Sequence, residues 1–307
     1  MKRVSAILTL LLFVRVNRST GTLASRARVN TSVTNQLFRD LFTNYERSVR
    51  PTAFSGETTV VAVSPNLYGI LDVNEGDQRV VLSRWFQMFW NDPFFRWDPV
   101  AYNGTKRLLL DVSNIWVPDI TIIEVLTAET ASTVIDFCSV QHDGTVRYSL
   151  NDIIDIYCNI DAQEFPYDEQ SCNVSFVSWE YPADEIRVDP YPSPHGYLGF
   201  YQESSEWELL SYDYSKTHIA DGATISFDVI TFTIKFRRKA MFYLLALVIP
   251  NFLITTLSII GIFSPSNALH ERTERITLGL TGSLAMSVVL MIVNDLMPKS
   301  DKSFPLL

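Results

Sequence analysis

Residues 158–172 read CNIDAQEFPYDEQSC, two cysteines enclosing an aromatic-Pro-aromatic-Asp centre, Phe165-Pro166-Tyr167-Asp168. The chain holds three cysteines, and Cys158 and Cys172 form a close pair that can bridge in an oxidising compartment. Cys138, the one left over, lies in the apolar run TVIDFC and reads as a small buried hydrophobe rather than a reactive thiol. Closing a loop of this length stabilises by roughly 3 kcal/mol through chain entropy, so a structural staple is one reading. An exposed apolar tip at Phe165–Tyr167 is expected to touch something else, which is the other.

Export fits the start of the chain. MKR, the apolar run Val4–Val14 and the small residues around Thr22–Ser25 read as a secretory signal peptide over residues 1–24; a signal anchor is the alternative, because Arg15 and Arg18 flank the run. Sequons at Asn30, Asn103 and Asn173 fit a glycosylated extracellular segment. The 307 residues, 47% hydrophobic and 19% charged, allow one large or two medium domains plus membrane-embedded sequence. A net charge of −9 without a basic stripe argues against nucleic acid or anionic lipid as the main partner and mildly favours cations. His142, His195, His218 and His270 have no metal-ligand spacing and no nucleophile motif is present, so neither an enzyme nor a metal or other cofactor is expected.

Outward from the loop, the pattern changes twice. Leu37, Leu41 and Tyr45, with Phe38 and Phe42 beside them, predict a short amphipathic helix between Ser25 and about Arg50, ended by Pro51. From Glu57 to Lys235 short β-branched or alternating runs such as TTVVAVS, RLLLDVS, TVRYSL, CNVSFVSW and SFDVITFTIKF are punctuated by Gly, Pro, Asn and Asp. Many short strands with an internal disulfide predict an all-β sandwich with a short N-terminal helix over residues 25–240. An immunoglobulin-like domain fits less well, because the bridge closes too short a loop to join two sheets.

After Arg237-Arg238-Lys239 the sequence becomes apolar. Met241–Phe263 carries no charge and, at about 1.5 Å per residue, is long enough to cross the hydrocarbon core, Pro250 notwithstanding. A second segment, 274–297, is only partly apolar. Thr277, Thr281, Leu284, Val288, Met291 and Asp295 share one helical face, with Glu274 just before them. Such a stripe suits a helix lining a water-filled path, and equally a helix-packing face. Basic residues are distributed against an outside β domain, whereas the signal peptide, sequons and cysteine pair favour one, with the chain ending outside.

With these parts assembled the chain resembles a nicotinic-acetylcholine-receptor-like subunit of the Cys-loop family of pentameric ligand-gated ion channels, from residue 30 to the end. FPYDEQSC, the WxPDI stretch Trp116–Ile120, and ERITLGLTGSLAMSVVLMIVNDLMP carry the resemblance. It implies a plasma-membrane, multi-pass subunit with an extracellular N-terminal domain, assembled with other subunits in a homo- or heteropentamer, surrounded by lipid, and passing monovalent cations. The bridge Cys158–Cys172 would then touch the membrane domain, with Phe165, Pro166, Tyr167 and Asp168 transmitting ligand binding. Glu274 would form an inner acidic ring, Asp295 an outer one, Thr277 and Thr281 a hydroxyl lining, and Leu284 with Val288 a constriction gating by dewetting. A cation about 6 Å from one carboxylate at an effective dielectric near 20 gains roughly 3 kcal/mol, which predicts cation selectivity. Anion-selective relatives usually have Pro-Ala-Arg where this chain has Thr273-Glu274-Arg275.

The resemblance also implies an aromatic box for a small extracellular ligand, an amine neurotransmitter among the candidates, with Trp179 central, Phe227 replacing a tyrosine, and Trp90 supplied by the neighbouring subunit. Core packing is the alternative for each tryptophan; Trp85 and Trp97 lie at odd spacing from Trp90, off its strand face. Ile123 stands where a tyrosine is expected and Ser211–Thr224 lacks a vicinal cysteine pair, which points to a non-principal or divergent subunit. The sequence ends at Leu307, after two of the family's four membrane helices. A non-conducting, membrane-tethered ligand-binding or assembly partner is therefore the competing expectation.

Overall fold

The computed structural model describes residues 23–130, 136–191, 197–221, 225–263 and 271–296. Among the described residues helix α1, Leu23–Phe42, precedes eleven strands in two sheets. The larger sheet runs β3 (Arg107–Asp111), β6 (Phe137–Gln141), β7 (Asp143–Tyr157), β2 (Arg79–Arg96), β1 (Thr59–Asn74) and β9 (Ile186–Pro190), with β5 (Val125–Thr130) pairing the far end of β7. The smaller runs β10 (Trp207–Asp221), β11 (Ile225–Arg238), β8 (Glu169–Ser178) and β4 (Ile120–Ile122). The five runs singled out in the sequence fall on β1, β3, β7, β8 and β11.

Period-two alternation decides which faces meet. On β2, Val80, Leu82, Phe86, Met88 and Trp90 point inward; on β11, Ile230, Phe232, Ile234 and Phe236 are fully buried. The sheets lock where Phe86 stacks on Phe176 of β8 at 5.3 Å and Phe176 meets Phe232 edge-on at 5.8 Å. Arg84, also inward on β2, is buried only because Asp152 accepts from its Nε and Nη2 at 2.8 and 2.7 Å. Its guanidinium then lies 4.8 Å from the centre of the Phe86 ring.

Helix α1 buries Leu37 completely but ends eight residues short of Pro51, where the periodicity predicted a longer run. The cause is Tyr45, which leaves the helical path to stack on Phe95 at 4.5 Å and to donate its hydroxyl to Asp92 at 2.8 Å. Free Cys138 is fully buried, and burial pushes its thiol up to about 11.

Beyond β11 the chain becomes helical: α2 (Met241–Tyr243), a π turn (Leu244–Val248), α3 (Ile249–Phe263) and α4 (Glu271–Leu296). Pro250 supplies no N–H, and just before it the helix widens so that the Ile249 N–H closes on the Leu244 carbonyl. Among the described residues no helix is both long and apolar enough to cross a membrane; α3 is apolar but has 15 residues, and α4 has 26 but is less apolar. The two pack through small residues. A Cβ on Gly261 would collide with the Leu278 side chain, and one on Gly282 would come within 3.1 Å of Ser258 Oγ.

Two consequences are measurable. Phe176→Ala should destabilise the domain by about 3–5 kcal/mol in urea unfolding, because both sheets pack against that ring. Burial raises the Asp92 carboxyl above its ordinary value, outweighing the Phe94 N–H and Tyr45 hydroxyl that bond it. The native state then holds its proton where the unfolded chain has released it. That contribution is full below the unfolded carboxylate range and lost as pH rises through the native value. Asp92→Asn should flatten this fall in stability, read by urea unfolding between pH 4 and 7.

Candidate functional site

The smaller sheet carries a pocket at one end and a charged junction at the other. Trp179 directly follows β8, and the turn that presents it is clamped by Asp119 of the WxPDI stretch. Asp119 accepts from Ser178 Oγ at 2.6 Å and from the Glu180 N–H at 2.7 Å. Both carboxylate oxygens are thereby used, and the indole is left 68% exposed. Across from it the β10–β11 hairpin sets Ile219 in register with Phe227. Trp179, Phe227, Ile123, Ile219, Val177 and Ser178 line an open pocket of about 330 Å³. Trp179 and Phe227 thus come together, with Ile123 where a third ring was expected.

Among the described residues no free carboxylate lines that wall. Asp228, next to Phe227 and 4% exposed, is held by Lys216 Nζ at 2.9 Å and His218 Nδ1 at 2.6 Å. Lys216 also reaches Asp189 at 2.8 Å. A cation entering would meet mainly ring faces and apolar side chains.

Trp90 does not join them. It is 3% exposed, packs edge-on to Trp116 at 6.3 Å, and its Nε1 has no hydrogen-bond partner among the described residues. An indole closed inside the sandwich has no surface to lend to a neighbour, so the expectation for Trp90 is corrected to core packing. The odd spacing that set Trp85 aside is what turns Trp85 outward. Its half-buried ring lies on the opposite face of β2, with Nε1 donating to Ser149 Oγ at 2.5 Å.

The disulfide Cys158–Cys172 is formed, with Cα atoms 5.2 Å apart, tying the end of β7 to β8 across the two sheets. The tip expected to be exposed and apolar is mostly closed. Phe165 is 3% and Asp168 1% exposed, Pro166 is buried, and Tyr167 alone projects, at 59%. The cause is Arg238 at the end of β11. Its Nε donates to Asp168 Oδ1 at 2.8 Å, and its Nη2 to Asp168 Oδ2 at 3.1 Å and to Glu75 in the β1–β2 turn at 2.5 Å. Its Nη1 donates to the Tyr243 hydroxyl of α2 at 3.3 Å, and the guanidinium lies over Trp207, Phe165 and Tyr243 at 4.3, 5.0 and 5.7 Å. Burial opposes the arginine's charge, but Asp168 and then Glu75 outweigh it and hold the guanidinium above its ordinary range. Phe165 meets Tyr243 edge-on at 4.9 Å, so loop, turn, strand and α2 converge on one cation. The basic triplet read as a boundary held this residue, but not its partners.

On α4 the half-buried face is Gly282, Ala285 and Val289, whereas Thr277, Thr281, Leu284 and Val288 are exposed, about a quarter turn away. The contact with α3 therefore uses a different face from the hydroxyl stripe. Glu274 and Asp295 lie in α4, but their side chains fall outside the described ones. Asn103 sits at a turn tip in the left-handed region (φ 56°) and Asn173 is exposed on β8; Asn30 is within α1, its side chain outside the described ones. The expected signal peptide also falls outside, except its last two residues, which begin α1.

A sandwich carrying an aromatic pocket, a disulfide loop and a junction to helices defines a ligand-binding domain set on a helical base. Residues 34–240, the greater part of the chain, match the neurotransmitter-gated ion-channel ligand binding domain, and the chain belongs to that family, which is one of receptors and not of enzymes. It is 31% identical over 273 residues to the human neuronal acetylcholine receptor subunit alpha-10, with 89% of this chain and 59% of that one aligned. It is 32% identical over 242 residues to the Caenorhabditis elegans proton-gated ion channel subunit pbo-6 (78% and 57%) and 27% over 307 residues to the rat 5-hydroxytryptamine receptor 3A (98% and 62%). The chain spans a little over half the length of these curated relatives.

Removing one partner of a buried ion pair leaves the other uncompensated, at a cost of about 3–5 kcal/mol. Asp168→Ala should therefore strongly lower the unfolding temperature of the detergent-solubilised chain. In a double-mutant cycle Arg238→Ala should then add much less than it does alone.

Proposed function

We propose that this chain forms part of a subunit of a pentameric, cation-selective channel at the plasma membrane, opened by a small extracellular ligand. The Arg238 junction carries the reading. An arginine buried among Asp168, Glu75, Trp207 and Tyr243 ties the sandwich to α2, which is where a displacement in a ligand-binding domain must act to move membrane helices. Residues 1–24 would be removed on export, residues 25–240 would stand outside, sugars would attach at Asn30, Asn103 and Asn173, and 241–263 and 274–297 would cross the bilayer. Thr277, Thr281, Leu284 and Val288 face away from the α3 contact, which supports a pore-lining rather than a packing role, with Glu274 and Asp295 as acidic rings.

The pocket supports a role other than that of a principal acetylcholine-binding subunit. It offers Trp179 and Phe227 but an isoleucine at 123 and no vicinal cysteines on the β10–β11 hairpin. The relatives named above are receptors for acetylcholine, protons and 5-hydroxytryptamine, so family membership leaves the agonist open.

The subunit expressed with candidate partner subunits should pass a ligand-evoked current whose reversal potential follows external Na⁺. Glu274→Arg should shift that potential toward the anion equilibrium value, and Trp179→Ala should raise the half-maximal ligand concentration at least tenfold. Ligand-evoked current with an unmoved reversal potential in Glu274→Arg would refute the selectivity assignment.

A further inference from the structure

The stretch that carries the Trp179 clamp is not itself held by a sheet. Residues 115–119 belong to no strand, so a buried backbone group there must find its partner outside a ladder. Two side chains on the loop after α1 reach this region. The Trp116 N–H donates to the Tyr45 hydroxyl at 3.0 Å, and Arg47 Nη1 donates to the Ser113 carbonyl. The hydroxyl is fixed in turn. Its proton goes to Asp92, which is completely buried and whose other oxygen accepts from the Phe94 N–H at 2.9 Å, and a lone pair is left for Trp116. Two contacts carry that placement on to the pocket. The buried Trp116 ring meets Tyr181 edge-on at 6.5 Å, and Asp119 accepts from Ser178 and Glu180. Ser178 Oγ also accepts from the Tyr181 N–H at 3.2 Å, so Trp179 sits between residues tied on both sides.

We propose that Tyr45 and Arg47 are positioning residues for the ligand pocket, setting Asp119 and the turn that presents Trp179 through the backbone of Ser113 and Trp116. This rests on the receptor reading above, which supplies the pocket's role. A staple for the N-terminal helix would need no more than apolar contacts, with Leu37 in the core and the Tyr45 ring on Phe95. The hydroxyl and the guanidinium instead bond to backbone groups 71 and 66 residues further on, just before the clamp. Asp119 has both oxygens committed to the Trp179 turn, so a shift of the 113–116 backbone is passed to the indole rather than absorbed by a free carboxylate.

The test uses the assembled receptor containing this subunit and two readouts. One is titration with tetramethylammonium; the other is amide exchange in the peptide holding Glu180 and Tyr181, followed by mass spectrometry. Tyr45→Phe keeps the stack on Phe95 and removes only the hydroxyl. It should weaken tetramethylammonium binding, and speed exchange in that peptide, by about threefold or more. Arg47→Ala, at an exposed site, should move both readouts the same way. In an Asp119→Asn background Tyr45→Phe should add much less than it does alone. Leu37→Ala is the control, because it loosens α1 without touching the 113–116 backbone; it should lower the unfolding temperature and leave both readouts at wild-type values. Either readout unmoved in Tyr45→Phe or Arg47→Ala, moved as far by Leu37→Ala, or fully additive with Asp119→Asn overturns the inference, while weaker binding in Trp179→Ala upholds the receptor reading. Tetramethylammonium binding that is absent, or indifferent to Trp179→Ala, overturns the pocket's role and the inference with it.

Discussion

Burying an arginine is tolerable only if its charge is answered, and at Arg238 the answer comes from four separate parts of the chain. Asp168 from the disulfide loop and Glu75 from the β1–β2 turn supply the carboxylates, while Trp207 and Tyr243 supply ring and hydroxyl. The price of an uncompensated guanidinium forces these segments together, since removing either acid leaves a buried cation. The closed tip at Phe165 and Pro166, and the direction in which the chain leaves β11 to begin α2, follow from the same requirement.

The disulfide makes this arrangement less expensive to form. Cys158 and Cys172 join the end of β7 in one sheet to β8 in the other, so the loop bearing Asp168 is already short and tethered when Arg238 arrives. Cys172 lies directly opposite Ile234 in the β8–β11 ladder, four residues before Arg238. Bridge and ion pair therefore brace the same pair of strands. The bridge restricts the unfolded chain, whereas the ion pair selects the folded arrangement.

Much of the sandwich was legible because period-two alternation and β-branched runs act locally. TVRYSL and SFDVITFTIKF read as strands whatever surrounds them. The site was legible only where a residue's neighbours in sequence are its neighbours in space. Trp179 is presented by its own turn, but Phe227 reaches it through a hairpin register, and Arg238 meets Glu75 from 163 positions away. Trp90 and Trp85 show the limit most directly. Both are tryptophans on one strand, five residues apart, and the odd spacing sends one into the core and the other to the surface. Sequence alone indicates that they face oppositely, but which faces out depends on where the second sheet lies.

Pocket and junction lie on the same two strands, in opposite order along the chain. On β8 Asp168 precedes the strand and Trp179 follows it; on β11 Phe227 comes first and Arg238 last. The eleven residue steps from Phe227 to Arg238 span about 36 Å at 3.3 Å per step. A β-ladder resists stretching and slipping, because a one-residue shift would turn Phe232, Ile234 and Phe236 out of the core. It yields more easily to changes in twist or tilt as a unit. A ligand that drew the β10–β11 hairpin toward Trp179 would thus find its opposite end held in place by the Arg238 pairs rather than free to absorb the motion. Rigid strands between two specialised ends, with the interior given over to aromatic packing, are the form that the proposed ligand-gated role would require of a lever ending at the start of the helices.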